Sequence, residues 1–360
     1  MKKYLIIGLI LAVIGAMVIV PLLKNNGDDE YQEDQLAATF DFQDNLATRW
    51  DEAVKINVKV LSEDVAKVEL FYNDSLFQTW EKPKTTINYL FKAGFYGLGT
   101  RVVKLVATLN DGSTTVDERM VRVLSDIDPE LWIAKPVNSH PHSVTNFTQG
   151  LEFNDGILFE STGQKGQSMV AHIDMANGSS LKKMGLDANY FGEGITVFGD
   201  KVYQLTWQEQ KCFIYNKNTL QIEDDIAYTG EGWGLCNDGK SLIMSNGTER
   251  LVFRNPKTFE IERTIEVYTN EDAVANLNEL EYGPDGYIYA NVWMTNKVVV
   301  IDPMNGKVLA EIDATDLGTQ GRGNGDVLNG IAYNPATKKW YMTGKNWMKL
   351  FEVNFSKSAV

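Results

Sequence analysis

The chain has 360 residues, of which 44% are hydrophobic and 23% are charged, the composition of an ordinary globular protein rather than of a disordered one. Its 34 Lys and Arg side chains are outnumbered by 48 Asp and Glu side chains, which gives a formal net charge of −14. Because so acidic a surface repels phosphate backbones, these values argue against nucleic acid as a partner.

The first residues have the pattern of a targeting segment. Lys2 and Lys3 precede an uncharged run of 20 residues from Tyr4 to Leu23, which at about 1.5 Å per helical residue just spans a hydrocarbon core of about 30 Å. The run is longer than the apolar region of a cleaved signal peptide and offers no convincing cleavage site. We therefore expect residues 1–24 to form an uncleaved membrane anchor, with cleavage and secretion as the alternative.

The charges on either side of this run predict its orientation. Two lysines precede it, whereas an acidic stretch that begins NNGDDEYQEDQ follows it. Positive charge favours the cytoplasmic side of a membrane, so the N-terminus is expected in the cytoplasm. We expect the body of the protein in the cell envelope, on the periplasmic side of the inner membrane, after a linker at residues 25–50.

Residues 51–127 show strand patterns only. The stretches AVKINVKVL and AKVELFYN alternate apolar and polar residues, and residues 101–124 contain two such runs around an Asn-Asp-Gly turn, which is a β-hairpin signal. About five to seven short strands without helical periodicity predict an immunoglobulin-like or fibronectin-like β-sandwich. No cluster of His, Asp, Cys or Ser accompanies them, so we expect a spacer or adhesion module here.

From Pro136 onward the chain repeats. Five segments each open near a glycine, continue as an apolar strand, turn at a Gly or Pro and return on a second strand, and they begin at Gly150, Gly194, Gly234, Glu279 and Gly330. Third and fourth strands follow in most of them. A period of about 40 to 50 residues with four short strands is typical of a β-propeller. Residues 132–356 are therefore predicted to form five blades.

The fifth repeat stops after its third strand, at KLFEVNF. The segment before the first repeat, LWIAKPVNSHPHSV, can supply the missing strand and close the ring, which leaves few exposed edges. The predicted fold class is all-β: a five-bladed β-propeller preceded by an immunoglobulin-like or fibronectin-like β-sandwich.

Propeller topology predicts where the chemistry lies, because the loop that enters an innermost strand and the loop that leaves the second strand lie at the same end of the ring. Residues at the entries of the innermost strands are Phe147, Gln149, Phe191, Glu193, Glu231, Trp233, Asn278, Glu279 and Asn329. Residues at the ends of the second strands are Glu160, Trp207, Asn246, Trp293, Lys345 and Trp347. These residues are expected to form one mouth of the channel, a mostly apolar pocket with a few polar groups, as in a small-ligand site.

The residue types at this mouth limit its chemistry. None of His140, His142 and His172 falls at the predicted mouth, no Ser-His or Cys-His pair is visible, and no cluster has zinc-ligand spacing. What is left is a carboxylate in an aromatic pocket, Glu193, whose pKa burial raises towards neutrality, as a proton carrier needs. The glycines on both sides of Glu193 are expected to let the backbone turn sharply.

Eight segments in this order resemble the plant-type glutaminyl cyclases, also called glutamine cyclotransferases: VNSHPHSVTNFTQGL, YFGEGIT, QLTW, GEGWGL, LNELEY, NVW, DVLNGIAY and TGKNW. The resemblance covers about Pro136 to Phe355 and neither the N-terminal segment nor the sandwich. It implies a glutaminyl-peptide cyclotransferase, which converts an N-terminal glutamine into pyroglutamate and releases ammonia. The substrate's own α-amine attacks its γ-carboxamide, so catalysis consists of positioning and proton transfer.

The resemblance also implies a role for each residue of the mouth. Glu193 would be the acid/base that takes a proton from the amine and delivers it to the leaving ammonia. Gln149, Asn278 and Lys345 would hydrogen-bond the substrate. The walls of the pocket would be Phe147, Phe191, Trp207, Trp233 and Trp293. No cofactor and no catalytic metal are expected, although a structural calcium is compatible with the fold, and the expected partners of this monomer are peptides or proteins with an N-terminal glutamine.

The residues leave two alternatives open. A non-catalytic envelope propeller that binds peptides or glycans would share the aromatic mouth but would tolerate the loss of Glu193. A metal-dependent, lactonase-like propeller would need Glu193, Asn278 and Asn329 to converge on a divalent ion near the channel axis. Ammonia release from a dipeptide that begins with glutamine, measured with and without a chelator, distinguishes these hypotheses.

Overall fold

The computed structural model describes residues 36–358. Within this range the secondary structure is almost entirely strand, apart from a 3₁₀ turn at Ala93–Tyr96 and a short helix, α1, at Thr315–Gly321. No helix of the described range is long and apolar enough to cross a membrane. The predicted anchor at residues 1–24 lies outside the described residues.

The first part of the described chain forms two sheets. Their strands are β1 (Ala38–Phe40), β2 (Leu46–Arg49), β3 (Ala53–Val60), β4 (Val65–Tyr72), β5 (Ser75–Glu81), β6 (Thr86–Lys92), β7 (Gly99–Leu109) and β8 (Thr114–Leu124). One sheet has the order β1-β3-β6 and the other β2-β8-β7-β4-β5. The predicted hairpin is confirmed as β7 and β8. Strands β1 and β2 lie in residues that were expected to be linker. The sequence did not predict them because strands of this length are too short to show an alternating pattern.

The two sheets share one hydrophobic core. Ile56 of β3 in the first sheet is buried together with Leu70, Tyr72 and Val121 of the second. Alternate residues of each strand therefore face inwards, which is the packing of a β-sandwich. The likeness of this sandwich to immunoglobulin or fibronectin domains stays a prediction.

The remaining strands form the predicted propeller. They are β9 (Glu130–Pro141), β10 (Thr148–Asn154), β11 (Ile157–Thr162), β12 (Met169–Ile173), β13 (Ser180–Gly185), β14 (Gly192–Phe198), β15 (Lys201–Thr206), β16 (Lys211–Asn216), β17 (Ile222–Ala227), β18 (Leu235–Asn237), β19 (Leu242–Ser245), β20 (Arg250–Arg254), β21 (Ile261–Glu266), β22 (Leu277–Tyr282), β23 (Ile288–Val292), β24 (Lys297–Ile301), β25 (Val308–Asp313), β26 (Leu328–Asn334), β27 (Lys339–Gly344) and β28 (Lys349–Lys357). Strands β10–β13, β14–β17, β18–β21 and β22–β25 are blades 1 to 4.

Blade 5 is completed from the other end of the chain, as predicted. Strands β26, β27 and β28 are followed in the sheet by β9, which pairs antiparallel with β28 so that His140 lies opposite Leu350. The start of β9 also pairs in parallel with β25, with Glu130 opposite Ala310. Blades 4 and 5 therefore form one eight-stranded sheet, and the ring is closed by backbone hydrogen bonds.

The sandwich is bonded to the outer side of the propeller. The backbone N–H of Ser125 donates to the carbonyl of Thr269 at 3.0 Å, and Arg101 lies 2.6 Å from Glu266 in an ion pair. Tyr268, from the connection between blades 3 and 4, is buried in the sandwich core. The two parts are thus held together by direct contacts rather than by a free linker.

Glycines at the inner strands allow neighbouring blades to approach closely. A Cβ atom on Gly234 would lie 1.9 Å from the carbonyl oxygen of Asn278, and one on Gly194 would lie 2.5 Å from the backbone nitrogen of Leu235. Neither glycine has a positive φ. The sharp turn expected beside Glu193 is wrong, because Gly192 and Gly194 both lie within β14 and neither has a positive φ. Gly194 instead makes room for the next blade, since it carries no side chain.

The contact at Gly234 predicts a specific loss of stability. The Gly234→Ala variant is expected to lower the free energy of unfolding by about 1 to 3 kcal/mol, because the methyl group overlaps backbone atoms that cannot move aside. Urea denaturation measures this difference. Gly185→Ala is the control, since its Cβ would find its nearest atom at 3.9 Å, and it should stay within about 1 kcal/mol of the parent chain. Equal losses in both variants would contradict this explanation.

Candidate active site

The polar residues of the predicted mouth lie at irregularities of the innermost strands. In four blades the pairing between the first and second strands shifts near the entry of the first strand, at Thr148/Gly150, Gly192/Ile195, Leu277/Leu280 and Leu328/Ile331. The residues within these shifts include Gln149, Glu193, Asn278 and Asn329. Because a β-bulge takes residues out of the regular pairing and re-aims their side chains, each of these blades can present a polar group there.

Three of these polar side chains form a hydrogen-bonded chain across the ring. Asn329 Nδ2 donates to the carbonyl of Thr148 at 3.0 Å and to Gln149 Oε1 at 3.2 Å. With its oxygen engaged in this way, Gln149 uses its Nε2 to donate to Glu193 Oε1 at 3.0 Å. Blades 5, 1 and 2 are thereby connected, and the amide of Gln149 holds the carboxylate of Glu193.

The predicted aromatic residues form two groups of rings. Phe147 packs edge-to-face against Phe191, with ring centroids 6.2 Å apart, and Phe191 lies 5.7 Å from Trp207. Trp233 and Trp293 pack edge-to-face at 5.4 Å. Such pairs stabilise one another through their quadrupoles and provide rigid apolar walls.

Glu231 joins the two aromatic groups, a role that sequence reasoning missed. The indole nitrogens of Trp207 and Trp233 both donate to Glu231 Oε2, at 2.8 and 3.0 Å. The sequence places Glu231 at the same mouth, but only the folded structure shows that one carboxylate oxygen holds both indoles. This arrangement fixes the orientation of the walls.

Electrostatics at the mouth favour a proton carrier. Glu193 is 5% exposed, and burial raises the pKa of its carboxyl well above the usual range, an effect that the Lys345 ammonium opposes and that the nearby Glu231 and Glu209 reinforce. Burial also lowers the pKa of Lys345, which is 4% exposed, while Glu193 opposes that shift. Both side chains therefore have protonation equilibria displaced towards neutral pH, as is common among groups that transfer protons.

Lys345 and Asn278 complete the polar part of the site. The Nζ atom of Lys345 lies 4.7 Å from the centroid of the Phe147 ring, within range of a cation–π interaction. Asn278 is 2% exposed, and within residues 36–358 its Oδ1 atom accepts no hydrogen bond. A buried acceptor without a partner is costly, so a bound molecule with an N–H group would satisfy it.

Glu279 and Trp347 were expected at the mouth but have structural roles instead. Glu279 accepts the backbone N–H groups of Leu151 at 3.2 Å and of Ile331 at 2.8 Å, and so ties blade 4 to blades 1 and 5. Trp347 is fully buried in a core of blades 4 and 5, and its indole nitrogen donates to the carbonyl of Asp326 at 2.8 Å. Neither side chain belongs to the walls of the pocket.

A buried histidine–carboxylate pair lies between blades 1 and 5, and the sequence analysis did not find it. Nε2 of His142 lies 3.0 Å from Glu160 Oε1, and both side chains are buried. The two residues are 18 positions apart in different elements, and no spacing rule predicts such a contact. The ring closure by β9 brings them together.

Comparisons of the sequence and of the fold with known proteins give matches to the same family. The family model described as glutamine cyclotransferase matches residues 105–355, a range that includes all the candidate residues from Phe147 to Lys345. A glutaminyl-peptide cyclotransferase of Arabidopsis thaliana is 36% identical over 231 residues, which are 62% of this chain and 71% of the relative. The crystal structure of Myxococcus xanthus glutaminyl cyclase matches with a TM-score of 0.61 at 36% identity and covers 64% of this chain and 100% of that chain.

The matched range begins in β7 of the sandwich and runs through all five blades to Phe355 of β28, so it contains the bulged strands, the aromatic residues of the mouth and the buried carboxylate. On these grounds the chain belongs to the glutamine cyclotransferase family.

Proposed function

We propose that this pocket binds the N-terminal glutamine of a peptide or protein and converts it to pyroglutamate, with Glu193 as the proton carrier. The activity is that of the family to which the chain belongs. The observation that supports the role of Glu193 is its position: a buried carboxylate that is hydrogen-bonded to the amide of Gln149, two residues after Phe191, whose ring packs against Phe147 and Trp207. In this setting the carboxyl can hold a proton near neutral pH and release it again.

The reaction needs no covalent bond to the enzyme. The α-amine nitrogen of the substrate attacks the carbonyl carbon of its own side-chain amide and forms the C–N bond of the ring. Glu193 accepts a proton from the attacking amine and delivers it to the amide nitrogen, whose bond to carbon then breaks so that ammonia leaves. The aromatic walls hold the glutamine in the ring-closing conformation, which is where most of the rate enhancement arises.

Three polar groups are proposed to hold the substrate. Asn278 Oδ1 has no partner in the described part of the chain and is suited to accept an N–H of the substrate. The ammonium of Lys345 is suited to stabilise the negative charge that develops on the γ-carbonyl oxygen. Gln149, which already donates to Glu193, would keep the substrate's amide beside that carboxylate.

We also propose that the enzyme is a monomer that acts outside the cytoplasm, anchored in the inner membrane through its N-terminal segment. The support is in the sequence: two lysines, a 20-residue uncharged run and an acidic stretch that follows it. Nothing in the reaction calls for a cofactor, and any bound calcium is proposed to be structural.

Removing the carboxylate tests the proton-transfer role. The Glu193→Gln variant is expected to release ammonia from a dipeptide that begins with glutamine about 10²- to 10⁴-fold more slowly, because an amide cannot carry the proton. Its melting temperature should not fall, since burial of the carboxylate is itself unfavourable.

The matched control is Glu281→Gln. Glu281 is also a buried carboxylate with a raised pKa, but it accepts the backbone N–H of Tyr333 at the opposite mouth of the channel. This variant should keep the parent rate. Unchanged ammonia release by Glu193→Gln would refute the assignment.

The dependence of the rate on pH gives a second test. Glu193 must be ionised to accept a proton, so kcat/KM should rise as the pH increases through its raised pKa. In Lys345→Met the carboxylate loses a stabilising positive charge, so the acidic limb should move to higher pH. The substrate amine titrates identically with both enzymes, so a difference between the two profiles belongs to the protein. A limb that stays in place or moves to lower pH would count against the electrostatic coupling.

Chelation tests the absence of a catalytic metal. If positioning and proton transfer by side chains drive the reaction, EDTA or 1,10-phenanthroline should leave kcat unchanged while the protein stays folded. Circular dichroism on the same samples separates loss of a structural ion from loss of a catalytic one. Loss of activity with the fold retained, restored by added zinc, would favour a metal-dependent reaction.

A further inference from the structure

Closure of the ring brings the connection between β9 and β10, residues 142–147, against the loop after β27, residues 345–348, and this contact between blades 1 and 5 is the seam. The backbone N–H of Asn346 donates to the carbonyl of Asn146 at 2.8 Å, and Asn346 Nδ2 donates to the carbonyl of Val144 at 2.9 Å. Asn146 precedes Phe147 and Asn346 follows Lys345. Any displacement of the two sides of the seam therefore moves the ammonium of Lys345 relative to the ring of Phe147, which are 4.7 Å apart.

A charged pair is buried in this seam. Nδ1 of His142 lies 2.8 Å from the carbonyl oxygen of Trp347, and Nε2 lies 3.0 Å from Glu160 Oε1. A neutral imidazole can donate from only one of its nitrogens, yet both nitrogens here face oxygens that are hydrogen-bond acceptors. For both hydrogen bonds of His142 to form, the His142–Glu160 pair must hold one more proton than a neutral imidazole and a carboxylate anion hold together.

The carboxylate of Glu160 extends the contact to the entry of the first inner strand. Asn146 Nδ2 donates to its Oε2 atom at 2.7 Å, and the hydroxyl of Thr148 donates to its Oε1 atom at 2.7 Å. Burial alone would lower the pKa of His142, but the charge of Glu160 raises it overall; burial would raise the pKa of Glu160, but His142 and these hydrogen bonds lower it. The pair is therefore held in its ionised form.

We propose that His142 and Glu160 are positioning residues, whose buried contact holds the two sides of the seam together and thereby fixes Lys345 and Phe147 at the pocket. The inference rests on the proposed cyclotransferase function, because its effect is read in the rate of ring closure. His142 is held by the loop that follows Lys345, whereas Glu160 is held by the residues on both sides of Phe147. Neither is proposed to touch the substrate.

A double-mutant cycle distinguishes positioning from general stabilisation. At a temperature where every variant is folded, His142→Ala should lower kcat about 10- to 100-fold, because displacements of about 1 Å suffice for such losses. In a Lys345→Met background the same substitution should cost much less, since one of the two groups that it positions is already absent. Fully additive losses in the two backgrounds would overturn the inference.

His172→Ala is the matched control. His172 is equally buried, at 7% exposure, and its Nε2 atom lies 2.9 Å from the carbonyl oxygen of Lys217, in contact with neither the seam nor the pocket. It should lower the melting temperature and leave kcat within about twofold of the parent value. An equal loss of kcat in His172→Ala and His142→Ala would show that the effect is general destabilisation.

A conservative variant covers the case in which His142→Ala does not fold. Glu160→Gln keeps the volume, and its amide can donate to the Nε2 atom of a neutral His142 while its oxygen accepts from Asn146. It should retain more activity than Glu160→Ala and show the same non-additivity with Lys345→Met; equal activity of the two Glu160 variants would overturn the inference. A parent chain that releases no ammonia would refute the proposed function as well, whereas an active parent with additive losses would refute the positioning role alone.

Discussion

The innermost strands of the propeller pack against one another around the channel, and the site depends on how each of them begins. At the entry of these strands, neighbouring blades approach so closely that no side chain fits between them, and glycines such as Gly194 and Gly234 permit this approach. In four blades the pairing shifts there, and Gln149, Glu193 and Asn278 lie within the shifts. The close approach of the blades places the entries of their innermost strands side by side. The shift in strand pairing releases polar side chains that a regular strand would use for packing or expose to solvent.

The polar groups gathered in this way are not fully satisfied, which is characteristic of a site that awaits a ligand. Burial destabilises the charged forms of both Glu193 and Lys345, and the two groups oppose each other's shifts without forming a close ion pair within the described residues. Asn278 keeps an acceptor without a partner. The stability lost at these positions is offset elsewhere, by apolar cores between the blades and by carboxylates such as Glu279 that bond neighbouring inner strands.

The closure of the ring has consequences on both sides of the propeller. Strand β9 completes blade 5 and pairs with blade 4, so the chain cannot open there without breaking a continuous sheet. The connection that leaves β9 carries His142 into contact with Glu160, next to the pocket. The segment that enters β9 comes from a sandwich that is itself bonded to blade 3 through Glu266 and to the connection between blades 3 and 4 through Thr269. Strand β9 and the segments on either side of it therefore close the ring, border the pocket and connect the propeller to the sandwich.

The sequence by itself determined the repeating unit, the number of blades, the strand that closes the ring and the side of the channel on which the polar residues lie. Strand alternation and turn residues are local properties that recur with each blade, so they can be read without a structure. The residues alone suggested Glu193 as a proton carrier, and the family resemblance added the substrate-binding roles proposed for Gln149, Asn278 and Lys345. Only the tertiary structure decided that Trp347 packs in a core and that Glu231 holds two indoles. These outcomes depend on which side chains meet across different blades, and hydrogen-bond partners that are distant in sequence leave no periodic signal in it.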